Sequence, residues 1–245
     1  MPRWKHRALW QPPSERATDL LAPVLLRRLL DGRPLQPRWL PRPQLTVLSG
    51  DLDPAAGVAA LQHVWRHRSA RSVSCTSLFE RCGDRWRWTG GGGTRPADPL
   101  PGRRLRAGEP GQTGMVEILG STTTLSRAGR AALDVPVPPC PAPMIGALEL
   151  QVAAEVDHLL FGDRRVGVPS PGFLVVVWRF PPPAGPAPPA GALSGSATWP
   201  PIRCLAADGS LLSELAPLDS LDSYTWQRIA DEDTRSPGRP AGTEE

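Results

Sequence analysis

The sequence predicts an α+β fold that consists mostly of antiparallel β-sheet, and three observations support this prediction. Residues 147–157 alternate between apolar and largely polar side chains, which is the period of a half-buried strand. Residues 173–178 form the densest β-branched run of the chain. Asp208-Gly209 stands between two apolar runs, as the turn of a β-hairpin does. The residue types of 147–157 also suit a helix, which is the alternative for this stretch.

The central stretch predicts three antiparallel strands. Every second residue from Leu148 to Val156 is apolar, so one face is expected to point into the core and the largely polar face to point outward. Residues 161–164 supply a turn, and Val166 and Val168 then alternate again. Residues 175–177 are all valine, which is too apolar for an exposed edge strand.

Two helices and a short strand are expected in the first third of the chain. Pro23 suits the first position of one helix and Gly32 its end, with an apolar stripe at Leu25, Leu26, Leu29 and Leu30. Residues 45–48 predict a short strand. Asp53 as N-cap and Pro54 as first residue then predict a second helix. Its apolar face would carry Val58, Leu61, Val64 and Trp65.

A hairpin and a linker are expected next. Residues 72–80 and 86–89 predict two strands joined by residues 81–84, where Gly83 tolerates the positive φ of such a turn. Residues 90–112 contain so much glycine and proline that they predict a linker or a long surface loop. Residues 115–119 predict one further strand.

The last third combines proline-rich and regular segments. Residues 181–191 predict a polyproline-type insertion, and residues 202–206 and 211–215 the two strands of a hairpin. Asp219 or Ser220 would cap a short C-terminal helix. The predicted domains are a basic, Pro- and Trp-containing N-terminal segment with a short helix at 1–43, a single α+β domain at 44–232 with mobile loops near 90–112 and 181–198, and a disordered tail at 233–245.

Composition narrows the class of protein. A chain of 245 residues that is 40% hydrophobic can bury a substantial core, although it is interrupted by 31 prolines. Asn is absent and Lys5 is the only lysine, so 27 of the 28 basic residues are Arg, which indicates a high-GC organism more than phosphate binding. The four scattered cysteines predict reduced thiols, and no apolar run is long enough for a membrane span. We therefore expect a cytoplasmic protein.

The charge is distributed unevenly along the chain. Residues 1–110 carry 19 basic and 9 acidic side chains, whereas residues 111–245 carry 9 basic and 15 acidic ones. The basic first half would attract either the second half of the same chain or an acidic partner. Nucleic acid is one such partner, but no recognised nucleic-acid-binding motif accompanies the charge.

Metal binding has weak candidates. His63 and His67 are four residues apart, so they would share one face of the predicted second helix, as a metal pair needs. No third ligand follows, and a solvated basic helix end is the simpler interpretation. Cys75 and Cys82 would lie on opposite arms of the predicted hairpin, where buried small hydrophobic side chains are the simpler role. No metal or cofactor is predicted.

Catalysis also has weak candidates. Asp157 and His158 form an acid and imidazole pair at a strand end, and Cys75 is a possible nucleophile if a base converges on it. The glycine run at 90–93 lacks the lysine and the helix of a phosphate-binding loop. Such residues would make an enzyme only if the fold assembled them.

The strongest candidates for a binding surface are aromatic and basic. Trp86 and Trp88 share one face of a predicted strand, and Arg85 and Arg87 flank them. Such a pair could stack on a planar ligand, but it more often covers the core or an interface. Because the sequence shows no assembled catalytic set, it predicts a non-catalytic protein-interaction or regulatory module that uses exposed Trp and Arg residues and the Pro-rich loops. The alternatives are an enzyme with a site near Asp157 and His158, and nucleic-acid binding through the basic first half.

Overall fold

The computed structural model describes residues 13–40, 45–66, 72–94, 102–126, 144–180 and 199–215, with the backbone alone for residues 13–20, 66, 72, 73, 93, 94 and 125. Within these ranges the fold is α+β, with an N-terminal helix and mostly antiparallel β-sheet. The elements are α1 (Pro13–Leu30), β1 (Leu45–Asp53), β2 (Val58–Arg66), β3 (Ser72–Cys82), β4 (Arg85–Thr94), β5 (Val116–Leu125), β6 (Met144–Val152), β7 (His158–Phe161), β8 (Arg164–Gly167), β9 (Phe173–Arg179), β10 (Ile202–Leu205) and β11 (Leu211–Leu215).

Helix α1 begins at Pro13 rather than at the predicted Pro23, which lies inside the helix. The first two residues of the predicted apolar stripe, Leu25 and Leu26, are buried, whereas its last residue, Leu30, is exposed. Gly32 ends the helix with a φ of 63°, as predicted. The chain there closes through a hydrogen bond of 2.8 Å from Arg33 N to Arg28 O.

The first sheet has the order β1-β2-β3-β4, and its second strand corrects the predicted second helix. The Asp53 carboxylate does accept a hydrogen bond from Ala56 N, at 2.9 Å, as an N-cap would. Here that bond closes the β1–β2 turn, in which Gly57 has a φ of 67°. Strand β2 is apolar on both sides because both of its faces are buried, so its sequence lacks the strand alternation.

The glycine run that predicted a linker belongs to β4. Residues 90–94 pair with β3, and a Cβ on Gly91 would lie 2.2 Å from the backbone oxygen of Thr76. On Gly92, a Cβ would lie 2.4 Å from Thr122 Oγ1 of β5. The glycines therefore allow β4 to lie close to β3 and β5, which is a packing role for residues that otherwise favour flexibility.

The second sheet, β5-β6-β9, faces the first and forms a sandwich with it. At one edge, β1 supplies side-chain acceptors to the main chain of β9. Ser49 Oγ accepts from Val175 N at 2.9 Å, and Asp51 Oδ2 accepts from Val177 N at 2.8 Å. At the other edge, Thr124 Oγ1 donates to Thr89 O at 3.2 Å. Polar side chains thus form hydrogen bonds with backbone groups that would otherwise be unpaired at the edge of a sheet.

The third sheet, β11-β10-β7-β8, covers the outer face of the second one. The stretch that predicted three antiparallel strands forms four, because β6 pairs directly with β9 while the β7–β8 hairpin lies in the third sheet. This arrangement corrects the prediction of a half-buried β6. Leu148 and Leu150 pack under the third sheet, and Glu149 and Gln151 on the opposite face are buried inside the sandwich.

The hairpin predicted around Asp208-Gly209 is correct. β10 and β11 pair with each other, Gly209 has a φ of 83°, and Asp208 Oδ1 accepts from Ser210 N at 2.9 Å. The predicted proline-rich insertion, C-terminal helix and tail lie outside the described residues. The part of the basic N-terminal segment that precedes α1, residues 1–12, lies outside them too. Among the described helical residues, no segment has the length and hydrophobicity that a membrane span requires.

Candidate functional site

The β3–β4 hairpin brings the predicted binding residues together at one end of the first sheet. Gly83, with a φ of 64°, makes the turn between the two strands. Arg81 is the register partner of Trp86, and Phe79 is the partner of Trp88. Because directly opposite residues share a face of the sheet, one face of the hairpin carries Arg81 together with both tryptophans. We call residues 81–88 the hairpin tip.

The two tryptophans differ in burial. Trp86 is half-buried against the apolar cluster under α1, to which Phe79 and Leu61 belong. Trp88 has 57% of its surface exposed. The first therefore anchors the hairpin tip to the fold, whereas the second presents an indole to solvent.

The arginines of the hairpin tip are exposed. Arg81, Arg85 and Arg87 all lie at the surface, and Asp84 is the only acidic residue between them. Arg85 Nε is 3.9 Å from Asp84 Oδ1, but both side chains are more than three-quarters exposed. Such an exposed ion pair contributes little to stability. With three arginines and one aspartate, the tip has a net positive charge.

Beneath the tip, a buried ion pair fixes the end of β3. Arg179 Nη2 of β9 donates to Glu80 Oε1 at 2.9 Å, and Arg179 Nε donates to Ala56 O at 3.1 Å. Glu80 is the register partner of Arg87. The hairpin tip therefore projects from a rigid base that ties the first sheet to the second.

His63 lies in β2, so its predicted helical pairing with His67 is wrong, and His67 lies outside the described residues. The imidazole is 2% exposed and lies beneath α1, in a cleft too narrow for a water molecule. Among the described residues, neither of its ring nitrogens has a hydrogen-bond partner. Burial lowers the pKa of His63 to about 4, so the ring is neutral at pH 7.

Cys75 and Cys82 lie on the same strand, β3, rather than on opposite arms of a hairpin. Cys75 is instead the register partner of His63. In the third sheet, burial raises the pKa of the Cys204 thiol. Over the described ranges, no group of three or more His, Cys, Asp and Glu side chains could hold a metal ion.

Asp157 and His158 form a local pair at the start of β7. Asp157 Oδ2 is 2.9 Å from His158 Nδ1 and 3.4 Å from Arg165 Nη2. This pair belongs to the third sheet, whereas His63 and Cys75 lie on the α1 side of the first sheet. The whole sandwich separates the two pairs, so the fold does not assemble them into one catalytic site.

A buried polar cluster centred on Glu149 was not predicted from the sequence. Inside the sandwich, Glu149 accepts hydrogen bonds from Thr76 at 2.6 Å, Gln62 at 3.3 Å and Ser74 at 3.4 Å. Ser49 Oγ in turn donates to Gln62 Oε1 at 3.1 Å. The available signal was the alternation of polar residues in β3, at Ser74 and Thr76, and in β6, at Glu149 and Gln151.

A second unpredicted group joins the third sheet to the sandwich. Arg164 of β8 donates to both carboxylate oxygens of Asp51, with the Nη2 to Oδ2 distance at 2.6 Å, and to Val177 O at 2.9 Å. Asp51 also accepts from Val177 N. Because these bonds are charge-assisted and largely buried, this group has a structural role.

Comparison of the chain with protein-family models, with curated proteins and with solved structures finds no match.

Proposed function

We propose that this chain is a non-catalytic protein-interaction module that binds an acidic surface of a protein partner through the hairpin tip. The observation that carries this proposal is an anchored hairpin with the exposed Trp88 and Arg81 on one face and the exposed Arg85 and Arg87 on the other. Tryptophan and arginine are the residue types that most often dominate the binding energy of protein interfaces.

Charge supports an acidic partner. The hairpin tip contains three exposed arginines, Arg81, Arg85 and Arg87, and one acidic residue, Asp84. A complementary negative patch on the partner would speed association and set the orientation of the complex. The Trp88 ring would supply the apolar contact at the centre of the interface.

Rigidity also supports binding at this place. The Glu80–Arg179 ion pair and the packing of Trp86 hold the base of the hairpin, so little order has to be gained when a partner binds. The separation of Asp157 and His158 from His63 and Cys75 gives an enzymatic function no comparable support.

The test is affinity capture from cells of the source organism with three forms of the full-length protein. The wild type is compared with Arg85→Glu/Trp88→Ser and with the control Arg165→Glu, which changes an arginine of similar exposure in the third sheet. We expect one acidic protein to be retained stoichiometrically by the wild type and by the control, and to be lost from the hairpin variant. Equal retention by all three forms would contradict the proposal.

Nucleic acid is the competing acidic partner, and the same proteins distinguish it. If the hairpin tip binds a protein, nuclease treatment leaves the captured partner in place. Salt-dependent retardation of DNA or RNA by the wild type, lost in the hairpin variant, would replace the protein partner with nucleic acid.

A further inference from the structure

We propose that helix α1 is a pH-sensitive cover of the first sheet, released when the imidazole of His63 takes up a proton. This inference concerns the opposite end of β2 from the hairpin tip and does not depend on the proposed function. It rests on the position of a dry, buried histidine directly beneath the helix.

The neutral imidazole is tolerated under α1, but its protonated form is not. With 2% exposure and no partner for either nitrogen in the described part of the chain, His63 has neither water nor an acceptor to stabilise a positive charge. A buried charge without a counter-charge is among the most costly features a folded protein can contain. Opening the helix would return the ring to water.

The surroundings of His63 contain no described charge. Helix α1 presents Leu21, Ala22 and Leu25 to the cleft, β1 presents Leu45, and β2 itself presents Leu61 and Trp65. From β3 come the Ser77 hydroxyl and, as register partner, the thiol of Cys75. Cys75 is thus the one titratable neighbour among described side chains. The charged residues Glu15, Arg16 and Asp19 lie in the first half of α1, of which only the backbone is described.

The helix is attached in a way that permits release. Its buried residues Ala22, Leu25 and Leu26 make apolar contacts with the first sheet, and the side-chain hydrogen bonds of its last turns stay within residues 27–34. The following segment is pinned to β1 by Gln36, whose Oε1 accepts from Val47 N at 2.9 Å. Release of the helix would therefore expose these apolar side chains without breaking a described side-chain hydrogen bond to the sheet, while Gln36 keeps the following chain in place.

The test is amide hydrogen exchange of the full-length protein, read by mass spectrometry and corrected for the intrinsic effect of pH. Exchange in α1 is compared with exchange in β9, a core strand that exchanges through global unfolding. A group with a pKa of about 4 when covered and about 6.5 when exposed predicts that the protection of α1 falls about 30-fold between about pH 7.5 and about pH 5. Because global unfolding also exposes His63, the protection of β9 should fall as well, but it should stay above that of α1 at every pH if the helix opens on its own.

Four variants test whether His63 is the group that causes the pH response of α1. His63→Leu and His63→Gln remove the titrating ring with an apolar and a polar side chain, and in whichever folds the pH response of α1 should vanish. His158→Gln, which changes the partnered imidazole of the third sheet, should keep the response. Glu15→Gln/Asp19→Asn should keep it as well.

The proposal would be overturned by a response that persists without His63, or by wild-type protection that does not change with pH. A response lost in Glu15→Gln/Asp19→Asn would assign it to the helix carboxylates and overturn the proposal too.

Discussion

Gln62 and His63 are neighbours on β2 and both are buried, but they differ in whether their polar atoms have hydrogen-bond partners. Gln62 points into the sandwich, where it donates to Glu149 and accepts from Ser49. His63 points towards α1 and has no described partner. On the inner face of β2, the polar atoms of Gln62 are satisfied by a network between the two sheets, whereas on the outer face the ring nitrogens of His63 are buried without a described partner.

The largest effect is expected at Glu149, the centre of the inner network. Glu149→Ala would leave the buried donors of Thr76, Gln62 and Ser74 without this acceptor, each at a cost of about 1–3 kcal/mol, and should lower the free energy of unfolding by about 3–5 kcal/mol in total. Urea denaturation measures the loss. The control Glu155→Ala, at an exposed carboxylate, should cost under about 1 kcal/mol. Equal costs for the two variants would mean that Glu149 is not enclosed.

The second largest effect is the pH dependence of global stability. The pKa of His63 is lower in the folded than in the unfolded state, so the unfolded chain binds more protons. The His63 contribution is fully present above about pH 6.5 and is lost as the pH falls towards about 4, with a maximum loss of about 3 kcal/mol. Urea denaturation across this range should show the loss in the wild type but not in His63→Leu. Parallel curves would contradict it.

Leucine substitutions of Gln62 and His63 should have opposite effects on stability, because the two side chains lie on opposite faces of β2. Gln62→Leu should destabilise the protein by about 2 kcal/mol at pH 7, because Ser49 and Glu149 each lose a partner. His63→Leu should instead stabilise it by about 1 kcal/mol, since an unsatisfied polar ring is replaced by an apolar side chain. Thermal unfolding of the two variants gives the signs. A loss of stability in both would remove the distinction between the faces.

The sequence predicted those parts of the fold that are determined locally. The Asp208-Gly209 hairpin and the Gly32 helix end follow from single residues with defined backbone preferences. β2 was wrongly predicted as a helix because α1 and the second sheet bury both of its faces, which removes the alternation typical of a strand. The glycines of β4 predicted a loop because their role is steric and depends on β3 and β5, which the local sequence does not show.

The residues of the candidate sites also differ in whether their arrangement could be predicted from the sequence. The residues of the hairpin tip were identified because period-two alternation placed both tryptophans on one face. The Glu149 network and the isolation of His63 could not be predicted, since each depends on contacts between strands distant in sequence. The two chemical pairs, Asp157 with His158 and His63 with Cys75, were each predictable as candidates, but their separation by the sandwich follows only from the sheet order.

The most direct test of the covered His63 is its own titration, followed by NMR on the imidazole carbon-bound protons and assigned by comparison with His63→Leu. We expect that the His63 resonance does not shift between about pH 8 and about pH 5.5, and that it titrates near pH 4 or only as α1 is released. A titration centred near the ordinary histidine value of about 6.5, with α1 still protected from exchange, would contradict it.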